Sequence, residues 1–456
     1  MKPIRVRLAA VLLSAALATT GLTACGSDSS ADGVTLRYWM WDSAQMPGYR
    51  QCATDFEAQN PGVHIQLDQY GWADYWTQLT ASMVAENAPD VFVNHTSRFG
   101  TYASLGQLLD MDPYAESDGY DLTQFEDGLA GQWVSQGGEQ RYGLPKDWDT
   151  EALFYNTEML AEAGYTADDV WSLEWNPDDG GTYEKFLAHM TIDKNGVRGD
   201  EPGFDKTRIA VYGTGYNEAG SGYGQVQWSP YALSNGEWRW TDTNPWGTVF
   251  NYDDPNFQTS IGWWRSLIDK GYMPSLAIAS SGVGSLESLK SGAYATLIEG
   301  SWNMAGVATT TGVGQFNVIP TPIGPDGNRA SVQNGLADSI WIGTEHPDEA
   351  WAWVSYMGTS ACQNIIADQA VVFPAIASSS DRAAEAFKKL GYNADAFSVH
   401  ITDGTAVTSP VVDRWAQVDS IMDPAMSAVL AFQADPASLT DANSRVNEMM
   451  ARDRDD

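Results

Sequence analysis

The first hundred residues alternate between two hydrophobic patterns. Short apolar runs at 34–39, 63–69 and 89–93 read as strands, the second by strict alternation and the third as a buried core at 91–93. Between them, 49–60 and 72–86 carry apolar residues at helical spacing, and Pro61 with Gly62 closes the first. This β-α-β-α-β order predicts a mainly parallel sheet with helices on its faces. After the third strand, 94–97 reads as a loop and 98–109 as a helix that Ser97 can cap. That segment offers Asn94, His95, Thr96, Ser97 and Arg98 at the carboxyl end of a strand, where open α/β sheets hold ligands.

Further on, the pattern predicts strands at 153–156, 209–212, 293–298, 316–320 and 339–342. It predicts helices at 157–163, 183–189, 257–270, 286–291, 347–357, 360–368, 381–390, 411–416 and 426–433. Trp263, Trp264, Trp351 and Trp353 lie within helices and are expected to pack. Loops fall at 191–205, rich in Asp and Gly, and at 213–224, rich in Gly and Tyr. No repeat period is visible, and 456 residues suggest two domains of the α/β class.

Charge and the N-terminus narrow the picture. Lys and Arg number 25 against 59 Asp and Glu, a net charge of −34. That argues against nucleic acid as a partner and suits an exported protein with a neutral or cationic ligand. Lys2, Arg5 and Arg7 precede an apolar run at 8–19 that is too short for a typical membrane span. Leu22-Thr23-Ala24-Cys25, followed by Gly26, resembles a bacterial lipobox. Residues 1–25 are therefore expected to be a lipoprotein signal ending in a lipidated Cys25, and 26–33 a flexible tether. A diacylglyceryl group would hold the chain on the outer face of the cell membrane. No later run is apolar enough to span a bilayer. Cys52 and Cys362 remain as a pair, and an oxidising compartment favours a disulfide between them if their Cα atoms come within range.

The chemical motifs are mostly exclusions. There is no Gly-x-Ser-x-Gly elbow, no His-Glu-x-x-His and no Walker loop, and 213–224 lacks dinucleotide spacing. The five His residues are scattered without metal-ligand spacing, and 193–205 matches a calcium loop only in composition. No catalytic residue, metal or cofactor is expected. A glycosidase would need paired carboxylates, for which Asp147, Asp149 and Glu299 are the candidates; carboxylates are so abundant here that chance proximity is ordinary.

Pro89-Asp90-Val91-Phe92, followed by Arg98-Phe99-Gly100 and Tyr102-Ala103, resembles the maltose-binding proteins of ABC importers. Residues 153–156 resemble that family's crossing into its second lobe, and Glu299-Gly300-Ser301-Trp302 its Gly-x-Trp ligand loop. Ile319-Pro320, 339–342 and Pro347-Asp348-Glu349-Ala350-Trp351 follow in the family's order. The resemblance implies an extracellular sugar-binding lipoprotein (solute-binding protein family 1) with a two-lobed, periplasmic-binding-protein-like α/β fold of type II. The ligand cleft would lie between lobes joined by a multi-segment hinge. The first lobe would take 34–148 and 330–368, and the second 149–329 and 369–456. The implied partners are an oligosaccharide and the transmembrane subunits of an ABC permease, with the protein itself a monomer.

A pyranose has an apolar C–H face and polar edges, so its site needs flat aromatic surfaces beside planar hydrogen-bonding groups. Loop aromatics and their polar neighbours supply the candidates: Trp41, Asp42, Tyr70, Trp72, Asn94, Arg98, Trp148, Asp149, Tyr216, Tyr223, Trp302, Asn303, Asn334 and Trp415. The family's best-known member has an aromatic residue directly before the segment containing its Arg-Phe-Gly, where Asn94 stands here, which points to an oligosaccharide other than maltodextrin. The competing readings are a binding protein for a non-sugar solute, such as a peptide or polyol, and a secreted glycoside hydrolase.

Overall fold

The computed structural model describes residues 33–220, 222–311 and 315–452. The expected signal, Cys25 and nearly all of the tether lie outside the described residues. The strands are β1 (Val34–Met40), β2 (Val63–Gln69), β3 (Val91–His95), β4 (Leu144–Asp149), β5 (Glu151–Asn156), β6 (Ile192–Asp193), β7 (Ile209–Val211), β8 (Thr296–Gly300), β9 (Phe316–Pro320), β10 (Ser331–Ile340), β11 (Phe373–Pro374) and β12 (Ala406–Thr408). The larger, seven-stranded sheet runs β11-β4-β10-β3-β1-β2, with β12 beside β10; a smaller sheet runs β8-β5-β9, and β6 pairs with β7.

The opening repeat behaves as its pattern dictates. β1 pairs in parallel with β2 and with β3, and the helices α1 (Met46–Gln59) and α2 (Trp72–Val84) make the crossovers. α1 buries Tyr49, Cys52, Ala53 and Phe56, a stripe at spacings of three and four. The expected mainly parallel sheet needs correction beyond this point. β10 runs antiparallel to both β3 and β4, β11 runs antiparallel to β4, and the smaller sheet is antiparallel throughout. Helical connections give parallel pairing in the first repeat and again between β10 and the short β12; β10 and β4 join the larger sheet where the chain passes between it and the smaller one.

Two direct passages carry the chain between the sheets. β4 ends at Asp149 in the larger sheet and β5 begins at Glu151 in the smaller, so Thr150 alone separates them. The chain returns between β9 and β10. β11 lies past residue 368 and still hydrogen-bonds in the larger sheet.

Cys52 on α1 and Cys362 on the helix Ser360–Asp368 form a disulfide, with Cα atoms 5.3 Å apart. It closes a sequence separation of 310 residues. Reduction, or Cys52→Ser, is expected to lower unfolding stability by about 2–4 kcal/mol. Denaturant titration with and without reductant measures this.

Local corrections have identifiable causes. The third strand runs on to His95 and the next helix, α3 (Thr96–Ser104), starts at once, so no 94–97 loop forms. His95 rather than Ser97 is the cap: its imidazole accepts the Ser97 N–H at 3.1 Å. The segment 411–416 is not a helix; the helix begins at Trp415 and runs to Leu430. Tertiary bonds claim this backbone instead, since the Val411 N–H donates to Asn244 at 3.0 Å and its carbonyl accepts from the Trp246 N–H at 2.7 Å. The chain also presses on α3, where a Cβ at Gly100 would lie 2.1 Å from the Val412 carbonyl oxygen. β10 is far longer than the 339–342 run, because polar Gln333, Asn334 and Asp338 interrupt its apolar signal although all three are buried.

Trp263, Trp264, Trp351 and Trp353 are buried in two of the cores. Among the described residues, no helix is long and apolar enough to cross a membrane.

Candidate ligand-binding site

Three parallel strands deliver their carboxyl ends to one place. Trp41 follows β1, Trp72 opens α2 after β2, and His95 ends β3. α2 turns Trp72 and Trp76, four residues apart, to the same side. The Trp41 ring centroid lies 5.0 Å from Trp72, 5.0 Å from Tyr75 and 5.2 Å from Trp76. Trp72 meets the His95 ring edge-on at 5.4 Å. The Arg98 guanidinium, one turn into α3, lies 5.8 Å from the centre of Trp76. Most of these rings are buried, but Trp72 is 46% exposed, so an indole surface supported from behind faces solvent.

A line of polar groups runs from this wall to the core that packs on the smaller sheet. Asn334, at the point where β10 pairs with the end of β4, accepts from the Thr96 hydroxyl at 2.7 Å. Its amide nitrogen lies 3.0 Å from His95 Nε2 and donates to Asp149 Oδ2 at 3.2 Å. Asp149 Oδ1 accepts from Gln225 Nε2 at 2.9 Å, and the Tyr223 hydroxyl donates to Gln225 Oε1 at 2.7 Å. Tyr223 in turn meets Trp415 edge-on at 5.5 Å. Trp41, Trp72, Asn334, Asp149 and Tyr223 are thereby joined into one array that ends against Trp415, which at 1% exposed is buried in the core and offers no open face.

The electrostatics follow from burial. Burial, then the charge of Asp147, pushes the Asp149 carboxyl well above the usual carboxylate range, against the Asn334 and Gln225 amides that favour the charged form. Burial, aided by the Arg98 charge, takes His95 down to about 3, so its imidazole is neutral. Asp419 is pushed up to about 7 by burial and by Asp423, while Arg98 opposes this. Arg98 Nε and Trp415 Nε1 are buried donors with no hydrogen-bond partner among the described residues.

Trp302, Asn303 and Tyr216 stand in a second cluster at the end of β8. Glu299 accepts from the Gly300 N–H at 2.8 Å and from Asn217 Nδ2 at 2.9 Å, with Asn303 as a further partner; burial pushes its carboxyl up to about 7. The half-buried Trp302 ring folds over Gly300, where a Cβ would lie 1.8 Å from it. Tyr216 stacks on Trp264 at 5.8 Å and its hydroxyl accepts from Gln227 at 3.2 Å. Tyr216, Gln227, Met422, Asp423 and Met426 line a cavity of about 240 Å³ beside it.

Other candidates are placed elsewhere. Trp148 is 2% exposed, stacks on Phe373 at 4.7 Å and donates its Nε1–H to Ser380, so it is a core residue with no face to offer. Asn94 is fully buried; it donates to Ser339 on β10 at 3.1 Å and accepts its neighbour's N–H, which ties β3 to β10. Tyr70 lies against Trp39 at 4.6 Å, with no ring contact to Trp41 or Trp72 among the described residues. Asp42 is turned onto its own loop, accepting from Ala44 N–H and Gln45 Nε2. Asp147, the glycosidase candidate, pairs with buried Lys146 at 3.0 Å. Sequence reasoning passed over Trp76 and Gln225. Trp76 had a signal in its spacing from Trp72, whereas nothing local marks Gln225. Among the described residues no group of His, Cys, Asp and Glu is arranged to hold a metal ion.

Comparison with known proteins bears on this geometry. The family model for bacterial extracellular solute-binding proteins matches residues 51–394. The diacetylchitobiose binding protein DasA of Streptomyces coelicolor is 28% identical over 154 residues, which cover 31% of this chain and 35% of that protein. The matches to this and the next two curated relatives span 35% to 43% of those proteins' length. Among solved structures, an ABC substrate-binding protein from Listeria monocytogenes in complex with cycloalternan superposes with a TM-score of 0.76 at 19% identity, covering 92% of this chain and 99% of that one. UspC of M. tuberculosis superposes with a TM-score of 0.71 at 23% identity, covering 91% and 100%. These likenesses show the fold: α/β and periplasmic-binding-protein-like.

Proposed function

Since the chain belongs to the bacterial extracellular solute-binding protein family, whose members bind solutes and do not transform them, we propose that it captures an oligosaccharide between two lobes and delivers it to the permease of an ABC importer. The first lobe, 34–148 with 330–368, is built on the larger sheet, to which β11 and β12 of 369–456 also add, and the second, 149–329 with the rest of 369–456, on the smaller; lipidated Cys25 anchors the protein on the outer face of the cell membrane. The supporting observation is the array from Trp72 and Trp41 through His95, Asn334, Asp149 and Gln225 to Tyr223 and Trp415. It sets indole surface beside planar amides and carboxyls, the pairing that the two faces of a sugar require. It also reaches from the larger sheet to Tyr223 and Trp415, which pack in the core that covers the smaller sheet, so a ligand touching both ends favours their approach. The names of the diacetylchitobiose- and cycloalternan-binding relatives support a saccharide over a peptide or polyol.

Titration calorimetry against maltotetraose, cellotetraose, chitotetraose and a control tetrapeptide, with product analysis of each mixture, tests the reading. Saccharide binding without cleavage is expected; peptide binding alone, or hydrolysis, would replace it. Trp302→Ala is expected to weaken saccharide binding at least tenfold, or about 1.4 kcal/mol, with little change in melting temperature because the ring is only half-buried. Unchanged affinity would assign Trp302 to packing.

A further inference from the structure

Glu151 opens β5, one residue beyond the Thr150 passage, and is fully buried. Its two oxygens face different parts of the chain. Oε1 accepts from the Val226 N–H at 2.6 Å and from the Ser229 hydroxyl at 3.0 Å. Oε2 accepts from the Val332 N–H at 3.2 Å and from the Ser331 hydroxyl at 3.4 Å. The Glu151 N–H completes the set by donating to Ser331 Oγ at 2.7 Å. One carboxylate thus ties together both strands at which the chain passes between sheets, and fastens the loop 222–229 to them.

That loop holds an unusual residue. Val226 sits at φ 57°, left-handed backbone that a β-branched side chain rarely adopts. The turn it makes sends its neighbours to different clusters. Gln225 bonds to Asp149 at 2.9 Å, while Gln227 bonds to Tyr216 at 3.2 Å and to the Asn217 carbonyl at 2.6 Å. Without an acceptor for its N–H, Val226 would relax to an ordinary conformation and both amides would turn away.

Resting on the saccharide-binding reading, we propose that Glu151 is a positioning residue for the ligand site: by holding Val226 in its left-handed turn against the passage between sheets, it orients Gln225 and Gln227 and so sets ligand affinity. Four donors converge on it, which suits an ionised carboxylate, while burial opposes them and pushes its pKa up to about 7.

Glu151→Gln keeps size and shape but turns an acceptor into a donor facing donors. In the mature chain, its Kd for whichever of maltotetraose, cellotetraose or chitotetraose the wild type binds is expected to rise at least tenfold. Amide hydrogen exchange is expected to speed up across 222–229 and to stay unchanged in α1 and α2. Adding Val226→Gly, which takes the left-handed turn freely, is expected to bring the Kd back to within threefold of wild type. A Kd equal to wild type, exchange that rises uniformly, or no recovery in the double variant would overturn the proposal. If Glu151→Gln does not fold, Ser229→Ala removes one donor and keeps the carboxylate; a two- to fivefold rise in Kd with the same localised exchange supports the proposal, and no change in either overturns it. Wild-type protein that binds none of the three saccharides would refute the parent reading, and this one with it; normal wild-type binding beside an indifferent Glu151→Gln refutes this one alone.

Discussion

Asp149→Ala is expected to weaken saccharide binding by at least a hundredfold, equivalent to about 2.7 kcal/mol, the largest loss at any single position of the site. The carboxyl accepts from Asn334 and from Gln225 and is 8% exposed. Its removal leaves two amides without that acceptor in a dry environment, each costing about 1–3 kcal/mol. Asn334 still has Thr96, and Gln225 still has Tyr223, but the link between the two ends of the array is gone. Asp149→Asn separates the effects, because it keeps the volume and one acceptor; an intermediate loss is expected. Calorimetry gives the affinities, and a denaturant titration of each variant shows how much of the loss is general destabilisation. An Asp149→Ala protein that binds as the wild type does would remove this carboxyl from the site.

Trp148→Ala is expected to do the opposite: a stability loss of about 3–5 kcal/mol, with saccharide affinity little changed under conditions where the protein remains folded. The adjacent position in sequence puts this ring on the other face of β4, stacked on Phe373 and bonded to Ser380. Deleting it opens a cavity in a core shared by Phe373, Phe387 and Phe397 and strips the Ser380 hydroxyl of a donor. A chemical denaturation midpoint measures the first effect and calorimetry the second. A large affinity loss at unchanged stability would mean that Trp148 reaches the ligand.

The contrast between these neighbours marks how far the sequence could be read. Where one period ran without interruption, boundaries were legible to the residue: β2, β9 and the helices Pro347–Met357 and Ser360–Asp368 coincide with the hydrophobic pattern and its Pro or turn signals. Where tertiary bonds decide, they were not. The helical pattern at 411–416 lost to Asn244, Trp246 and the close approach at Gly100, and β10 hid behind buried polar residues, of which Asn334 and Asp338 accept from Thr96 and Tyr38. For the proposed site, loop position next to a strand end marked Trp41 and Trp72, whose rings cluster after β1 and β2, while Trp415, offered by the resemblance, is buried in the core. Neither could distinguish Asp149 from Trp148, since alternate strand positions face opposite ways and the direction is fixed only by pairing. Asn94 reads as a loop amide only if β3 stops early; two further residues of strand turned it inward.

Thr150 has a mechanical corollary. If the two sheets rotate about this passage, displacement grows with distance from the axis. Asp149 adjoins the pivot and barely moves. β2, which leads into Trp72, lies four strands away from β4 along β10, β3 and β1, roughly 19 Å at about 4.8 Å per strand. A swing of about 10° would carry that edge roughly 3 Å, close to the thickness of an aromatic ring. The hydrogen-bonding centre would then stay assembled in the unoccupied protein, and the indole flank would act as the jaw. Selectivity for ring hydroxyls would be expressed at first contact, and tolerance for chain length would be settled by how far the jaw swings.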